Sequence, residues 1–430
     1  MKLTATPGGP LVGEAAVPGD KSCSHRALIL GAMAEGETHI RGLLESDDVL
    51  ATARALEAFG VRIDRTSDEW IVQGCTWQSP VEPIDCGNSG TTARLLMGAV
   101  AGMPGVHATF TGDASLSVRP MKRVTGPLQR MGAIVDGEER LPVTIHGAML
   151  GGIDHRNVPA SAQVKSAILL AGLGTTAPVN VTEPVPSRDH TEIMLAQFGC
   201  IAGVDDTPDG WVIALDKERK LKGGRVAIGT DPSSAAFPLV AAMIVPGSQV
   251  IVRNMVVNPL RTGFYETLEA MGAVIELSNE RIQSGEIVAD VNVRYSALGP
   301  CHVRAEQVPA MVDEILALAV ACAVAGGESV IEGLAELRLK ESDRLGAIVG
   351  GLVACGVSAV ADGDCLRIFG KGKVRGGASI ATQGDHRIAM AFLALGLAAE
   401  QPIEVDEAEM IGTSFPGFIE AMNSLGANLG

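Results

Sequence analysis

Aromatic side chains are scarce: three Trp, two Tyr and nine Phe make up 3% of the 430 residues. Positive charge is also in deficit, with a formal net charge of −16. Nucleic-acid binding needs a basic face and stacking platforms, and this composition supplies neither. The eight cysteines form no CxxC pair and no His/Cys cluster at zinc spacing, so a reduced, cytoplasmic protein is the simplest reading. The longest apolar runs, such as Ile315 to Ala325, are too short to cross a bilayer, and no membrane association is expected. The N-terminal segment has one Lys and no apolar stretch, so no signal peptide is expected. Also missing are a GxxxxGK[ST] loop, a GxGxxG after a strand, HExxH, an EF-hand loop and a GxSxG elbow. These absences leave a site without metal or cofactor, built from Arg, Lys and a few carboxylates.

What the chain does have is repetition. An apolar-Gly-apolar element closes an amphipathic stretch six times, at Gly60, Gly132, Gly199, Gly272, Gly356 and Gly426. Each glycine suits the position just past a helix, where positive φ is wanted. All but the last precede a hairpin pattern, as in Val61-Arg62-Ile63 turning at Ser67-Asp68-Glu69 into Trp70-Ile71-Val72. A first, strongly apolar helix follows, starting near Lys21, Asn88, Ser161, Asp231, Ala310 and Asp385. Then come a Gly-punctuated strand, a loop, and a second, amphipathic helix ending at the repeat glycine. First helices that are apolar all round should be buried; second helices should face solvent. The sixth unit lacks its hairpin, and residues 2–17 read as strands without a helix, so the N-terminal strands can complete that last unit. The expected organisation is therefore two domains of three units: residues 19–229, and residues 1–18 plus 230–430.

Two loop sets recur, and they hold most of the chemistry. At the first-helix starts, Pro18-Gly19-Asp20-Lys21-Ser22-Cys23-Ser24-His25-Arg26 ends a strand and offers Ser22 or Ser24 as a cap. Lys21 and Arg26 then flank free N–H groups, which suits an anion such as phosphate. Cys23 has no base beside it in sequence and reads as a small buried thiol. Asn88-Ser89-Gly90-Thr91-Thr92 with Arg94 repeats the arrangement, with Gly90 allowing a close ligand approach. Ser161-Ala162-Gln163 offers a hydroxyl and an amide. Asp231-Pro232 is a plain cap without a ligand role. Asp313 and Glu314 suit a helix dipole, and an acid facing cations there can also accept a proton. Asp385-His386-Arg387 adds a cap and a cation. The second loop set adds Arg119-Pro120-Met121-Lys122-Arg123, Ser187-Arg188-Asp189-His190, Arg261 and Arg338-Leu339-Lys340-Glu341-Ser342-Asp343-Arg344. Charge runs are usually solvated helix starts. Recurring at equivalent places in a repeat, these can converge when two domains face each other. Such a site suits anionic substrates and acid–base chemistry.

Five motifs carry a resemblance to a known family. Pro-Gly-Asp-Lys-Ser-x-Ser-His-Arg (18–26), Gly-Asn-Ser-Gly-Thr-Thr (87–92), Gly-Asp-x-Ser-Leu-x-x-Arg-Pro-Met (112–121), Lys-Glu-Ser-Asp-Arg (340–344) and Asp-His-Arg-x-Ala-Met (385–390) occur in order. Together they resemble the EPSP synthases, from about residue 13 onward. The resemblance implies an α/β fold of two inside-out domains, each of three βαβαββ repeats, with the active site in the cleft between them. It implies transfer of the enolpyruvyl group of phosphoenolpyruvate to the 5-hydroxyl of shikimate 3-phosphate, in chorismate and aromatic amino acid biosynthesis, without metal or cofactor. By resemblance, Lys21, Ser22 and Arg26 hold shikimate 3-phosphate, with Ser161, Ala162, Gln163 and Arg188 on its phosphate and ring and Lys340 in contact. Asp313 binds the ring hydroxyls and accepts the proton of the attacking one. Gly90, Arg119, Gln163, Arg344 and Arg387, helped by Lys21, hold phosphoenolpyruvate. Glu341 is the proton donor to its methylene carbon. The sixth second-set loop departs from many relatives, with Thr413 where they carry Lys. The partners expected are these two small molecules alone, acting on a monomer. Two alternatives are enolpyruvyl transfer to a UDP-sugar and a non-catalytic anion-binding repeat protein. The loop at 112–121 lacks the Cys common in the first, and the acids among the cations are superfluous in the second.

Overall fold

The computed structural model describes every residue of 1–430 except 138. The chain divides into two compact units, each with its own hydrophobic core. The first, here the N-proximal unit, comprises Gly19–Ile228 with Gln283–Glu286; the second, the C-proximal unit, comprises Met1–Pro18, Gly229–Ile282 and Ile287–Gly430. The hairpin tip 283–286 thus groups with residues far from it in sequence.

Each unit is built from three repeats around three buried helices. In the N-proximal unit these inner helices are Lys21–Met33, Gly90–Ala101 and Ala162–Gly172. In the C-proximal unit they are Pro232–Ile244, Ile315–Val324 and His386–Leu397. Their sequences are apolar on every face, so only a site surrounded by other elements accommodates them. Every residue of Pro232–Ile244 is buried. Each fully buried Leu or Ile contributes about 1.5–3 kcal/mol. Small residues let inner helices approach closely: a Cβ at Gly98 would lie 2.3 Å from the carbonyl oxygen of Ala167. The fifth inner helix starts at Ile315 rather than near Ala310. Ala305–Ala310 forms a 3-10 segment containing Pro309, and the turn through Met311–Glu314 separates the two.

Among the outer helices, Lys122–Met131 is amphipathic. In Lys122–Met131, Val124, Thr125, Leu128 and Met131 are inside while both first-turn cations are out. All six repeat glycines have φ between +86° and +109°, which only glycine adopts without strain.

Each repeat contributes a small mixed sheet. In the second, Ile84–Asp85 runs parallel to His107–Thr111, which pairs antiparallel with Val143–His146 and through it with Ile134–Asp136. The first repeat borrows its leading strand from the unit's far end, where Arg225–Ala227 pairs in parallel with Glu37–Arg41. The C-proximal unit closes differently from the sequence expectation. Leu3–Ala5 pairs antiparallel with Ile403–Val405 of the sixth repeat, but Val12–Glu14 pairs in parallel with Gln249–Val256 of the fourth. The two N-terminal strands therefore serve two sheets. The fourth repeat needs a leading strand, and no segment immediately before residue 229 is left to supply it, because Arg225–Ala227 is already used.

Candidate active site

In the N-proximal unit the candidate groups gather where the inner helices begin. The cap of the first helix is Asp20, not Ser22 or Ser24: its carboxylate accepts from the Cys23 N–H at 2.7 Å. Ser24 instead ties two segments, its Oγ donating to the Asp20 carbonyl and accepting from the Leu44 N–H. A carboxylate outcompetes a hydroxyl for a helix N-terminus because it meets the dipole with full charge. Lys21 sits half-buried, 3.0 Å from Asp48 at the start of the next helix. Arg26 is buried and clamped: its guanidinium donates to Thr191 Oγ1 at 2.6 Å, Ser166 Oγ at 2.7 Å and the Ser22 carbonyl at 3.0 Å. Burial lowers its pKa, and the neighbouring Arg188 charge acts in the same direction. Two cations kept this close leave room for an anion with more than one negative charge.

Beside them, Arg119 donates to Asn88 Oδ1 at 2.6 Å and Ser115 Oγ at 3.1 Å. Gly90 lies under it: a Cβ there would stand 3.6 Å from an Arg119 nitrogen and 2.7 Å from an Arg94 nitrogen. Gln163 bridges the second and third inner helices, accepting from Arg94 at 2.8 Å and donating to Thr91 at 2.9 Å. Ser161 caps its helix, and Ala162 is the first residue after it. A buried hydroxyl chain supports this floor: His25 Nδ1 lies 2.7 Å from Thr52 Oγ1, which lies 2.6 Å from Thr92 Oγ1, which donates to the Ser89 cap at 2.7 Å. Burial, reinforced by Lys21 and Arg26, pulls His25 well below the usual histidine range, so the ring stays neutral.

In the C-proximal unit the centre is Arg344, almost fully buried. Its Nε donates to Asp385 at 2.8 Å, a second nitrogen lies 2.7 Å from Glu341, and a third is 3.6 Å from Asp313. Burial works against the guanidinium's charge, but Asp385, Glu341 and Asp313 together push its pKa up. Burial likewise opposes ionisation of Asp385, and the Arg344 charge overrides it, holding the carboxyl below its ordinary value. Asp385 also caps its own helix through the Arg387 N–H at 3.0 Å, while the Arg387 side chain donates to the Asp313 carbonyl at 3.1 Å. Asp313, Glu341, Arg344 and Arg387 thus form one cluster, with half-buried Lys340 adjacent to Glu341 in the chain. Thr413 turns inward and donates to the Met410 carbonyl.

Sequence reasoning named these groups loop by loop and missed their supports. Asp48, Thr191 and Ser166, which orient Lys21 and Arg26, have no motif. The pairing of Arg344 with Asp385 joins two separate repeats. The sequence reading took Asp385 as a helix cap and did not pair it with Arg344.

Comparison with known proteins bears on the whole chain. The family model described as EPSP synthase (3-phosphoshikimate 1-carboxyvinyltransferase) matches residues 5–422. Curated proteins named 3-phosphoshikimate 1-carboxyvinyltransferase are similar over almost their full length. The one from Caulobacter vibrioides (strain NA1000 / CB15N) is 52% identical, with 99% of this chain and 98% of the relative aligned. The one from Paracoccus denitrificans is 51% identical over 100% and 98%. Among solved structures, an EPSP synthase from Acinetobacter baumannii superposes with a TM-score of 0.87 at 41% identity, covering 100% of this chain and 99% of that one. The enolpyruvyl transferase NikO from Streptomyces tendae, at 18% identity and a TM-score of 0.80, shares the fold.

Proposed function

Since the chain belongs to the EPSP synthase family, we propose how its own residues carry the enolpyruvyl transfer for which that family is named. The enzyme joins phosphoenolpyruvate to the 5-hydroxyl of shikimate 3-phosphate and releases phosphate, a step toward chorismate and the aromatic amino acids. Enolpyruvyl transfer to a UDP-sugar and a non-catalytic binding role are not favoured by relatives this similar.

The observation that supports the residue assignment is the placement of two carboxylates, Asp313 and Glu341, against one buried guanidinium, Arg344. Protonation of the phosphoenolpyruvate methylene carbon by Glu341 leaves cationic character on the neighbouring carbon. The shikimate hydroxyl attacks that carbon as Asp313 accepts its proton, giving a tetrahedral adduct. Elimination then removes a proton from the new methyl group and expels phosphate. A base and an acid held by one fixed cation are prepositioned for this traffic, and orientation of two anions can supply much of the rate. Arg344 is itself fixed by Asp385, so it offers phosphoenolpyruvate a donor that does not need to reorganise. Arg119 over Gly90, with Gln163 and Arg387, holds the rest of phosphoenolpyruvate. Lys21, Ser22, Arg26, Ser161, Ala162, Gln163, Arg188 and Lys340 hold shikimate 3-phosphate, with Lys21 serving both substrates.

The test is phosphate release. Phosphoenolpyruvate with shikimate 3-phosphate should release one phosphate per enolpyruvyl product, and phosphoenolpyruvate with a UDP-sugar should release none. Release only with the sugar, or with neither acceptor, would overturn the reading.

A further inference from the structure

Beneath the first turn of helix Lys21–Met33 lies a group of side chains that the enolpyruvyl chemistry does not use. Asp20, Cys23 and His190 are all buried, and one donor atom of each lies within 4.8 Å of the others. Cys23 Sγ is 3.7 Å from His190 Nδ1 and 3.9 Å from a carboxylate oxygen of Glu286, and His190 Nδ1 is 2.6 Å from that same oxygen. Asp20 and Cys23 are three residues apart at a helix start, which puts them on one face. His190 begins the helix His190–Gln197, and Glu286 begins a strand. The four come from three distant segments, so no spacing in the sequence announces them.

We propose that Asp20, Cys23 and His190 form a binding site for a thiophilic divalent cation, with zinc the best fit and Glu286, drawn in from beside His190, its fourth donor. Tetrahedral zinc with bonds of about 2.3 Å to sulfur and about 2.0–2.1 Å to nitrogen and oxygen separates a sulfur from a nitrogen by about 3.6 Å. The sulfur contacts of 3.7 and 3.9 Å already match that edge. The short histidine–glutamate contact would open by less than an ångström, since a nitrogen–oxygen edge is about 3.3 Å. One Asp20 oxygen accepts from the Cys23 N–H, which holds the carboxylate at the site.

Charge favours the same ion. The metal displaces the thiol proton to solvent, so the donors become a thiolate and two carboxylates against one dication. Arg26, whose charge is felt by both Cys23 and Asp20, balances the remaining negative charge. Lys21 next to the site is drawn off by Asp48. A thiolate with an imidazole selects zinc or cobalt over magnesium and calcium, which prefer oxygen alone.

The test uses the full-length protein, stripped with a chelator and titrated with Co²⁺. One equivalent should bring up a thiolate-to-cobalt charge-transfer band together with the intense visible bands of a tetrahedral ion. Cys23→Ser should abolish the charge-transfer band. His190→Gln should weaken binding by roughly 100-fold. Cys75→Ser, at an exposed thiol, should change neither. X-ray absorption of the zinc-loaded wild-type protein should show one sulfur in a shell of nitrogen and oxygen, a readout that needs no variant to fold. A shell without sulfur, no binding of one equivalent, or a band that survives Cys23→Ser would overturn the proposal.

Discussion

Asp313 and Arg119 separate chemistry from binding at the scale of single residues. Asp313 contacts Arg344 from the edge of its cluster, whereas Asp385 already neutralises that guanidinium from within. Asp313→Ala therefore leaves Arg344 paired with Asp385. It should lose turnover by 100-fold or more, in line with removal of a general base at about 10²–10⁴, while shikimate 3-phosphate still binds. Calorimetric titration alongside kcat checks this, and near-normal turnover would remove Asp313 from the role of base. Arg119 donates to Asn88 and Ser115 over the bare Gly90 backbone. Arg119→Ala should raise KM for phosphoenolpyruvate by roughly 10-fold or more, the loss of a charge-assisted hydrogen bond of about 1.5–3 kcal/mol. An unchanged KM would contradict its assignment. These residues were legible because each sits in a loop that the repeat brings to the same end of its unit. Their partners were not, because hydrogen-bond geometry such as Thr191 with Arg26 depends on where separate helices stop.

At the scale of elements, helix packing and hairpin electrostatics set two further expectations. Alanine raises helix propensity over glycine by about 1 kcal/mol. At Gly98 the new methyl would meet the Ala167 backbone at 2.3–2.8 Å, where nothing flexible can yield. Overpacking costs about 1–3 kcal/mol and sometimes more, and rigid backbone places this site at the upper end. Gly98→Ala should therefore lower stability in denaturant titration despite its better propensity; an increase would show that the two helices can part. In the hairpin Val274–Gln283/Glu286–Arg294, Asp290 accepts from Asn279, from the Asn254 N–H and from Arg253. These bonds, Asn279's foremost, prevail over burial and hold its carboxyl at about 2. A depressed carboxylate stabilises fully above its unfolded value near 4 and loses that contribution as pH falls toward 2. Asp290→Asn should flatten that part of the acid limb in a pH series of unfolding midpoints, and an unaltered limb would refute the linkage. The inner helices were readable because they are apolar on every face. The cap at Asp20 and the late start at Ile315 were misread because a carboxylate displaced the expected serine and a proline-containing turn displaced the expected first turn.

For the whole molecule, Lys21 and Gln163 are proposed to touch both substrates. Ligand binding should therefore be coupled. With a shikimate 3-phosphate analogue lacking the 5-hydroxyl, which cannot turn over, phosphoenolpyruvate should bind at least 10-fold more tightly, a coupling of about 1.4 kcal/mol. By linkage the analogue should tighten equally in return, and equal affinities with and without the partner would refute the coupling. The sixfold repeat was visible in the glycines, whose backbone requirement leaves a mark in the letters. The strand exchange at the N-terminus was not, since a three-residue strand carries no label for its partner. That exchange has a consequence for synthesis. Leu3–Ala5 and Val12–Glu14 leave the ribosome long before their partners at Ile403–Val405 and Gln249–Val256. The nascent chain must therefore hold both strands without their partners while the residues between are made, and each is retired in turn, Val12–Glu14 by the fourth repeat and Leu3–Ala5 by the sixth.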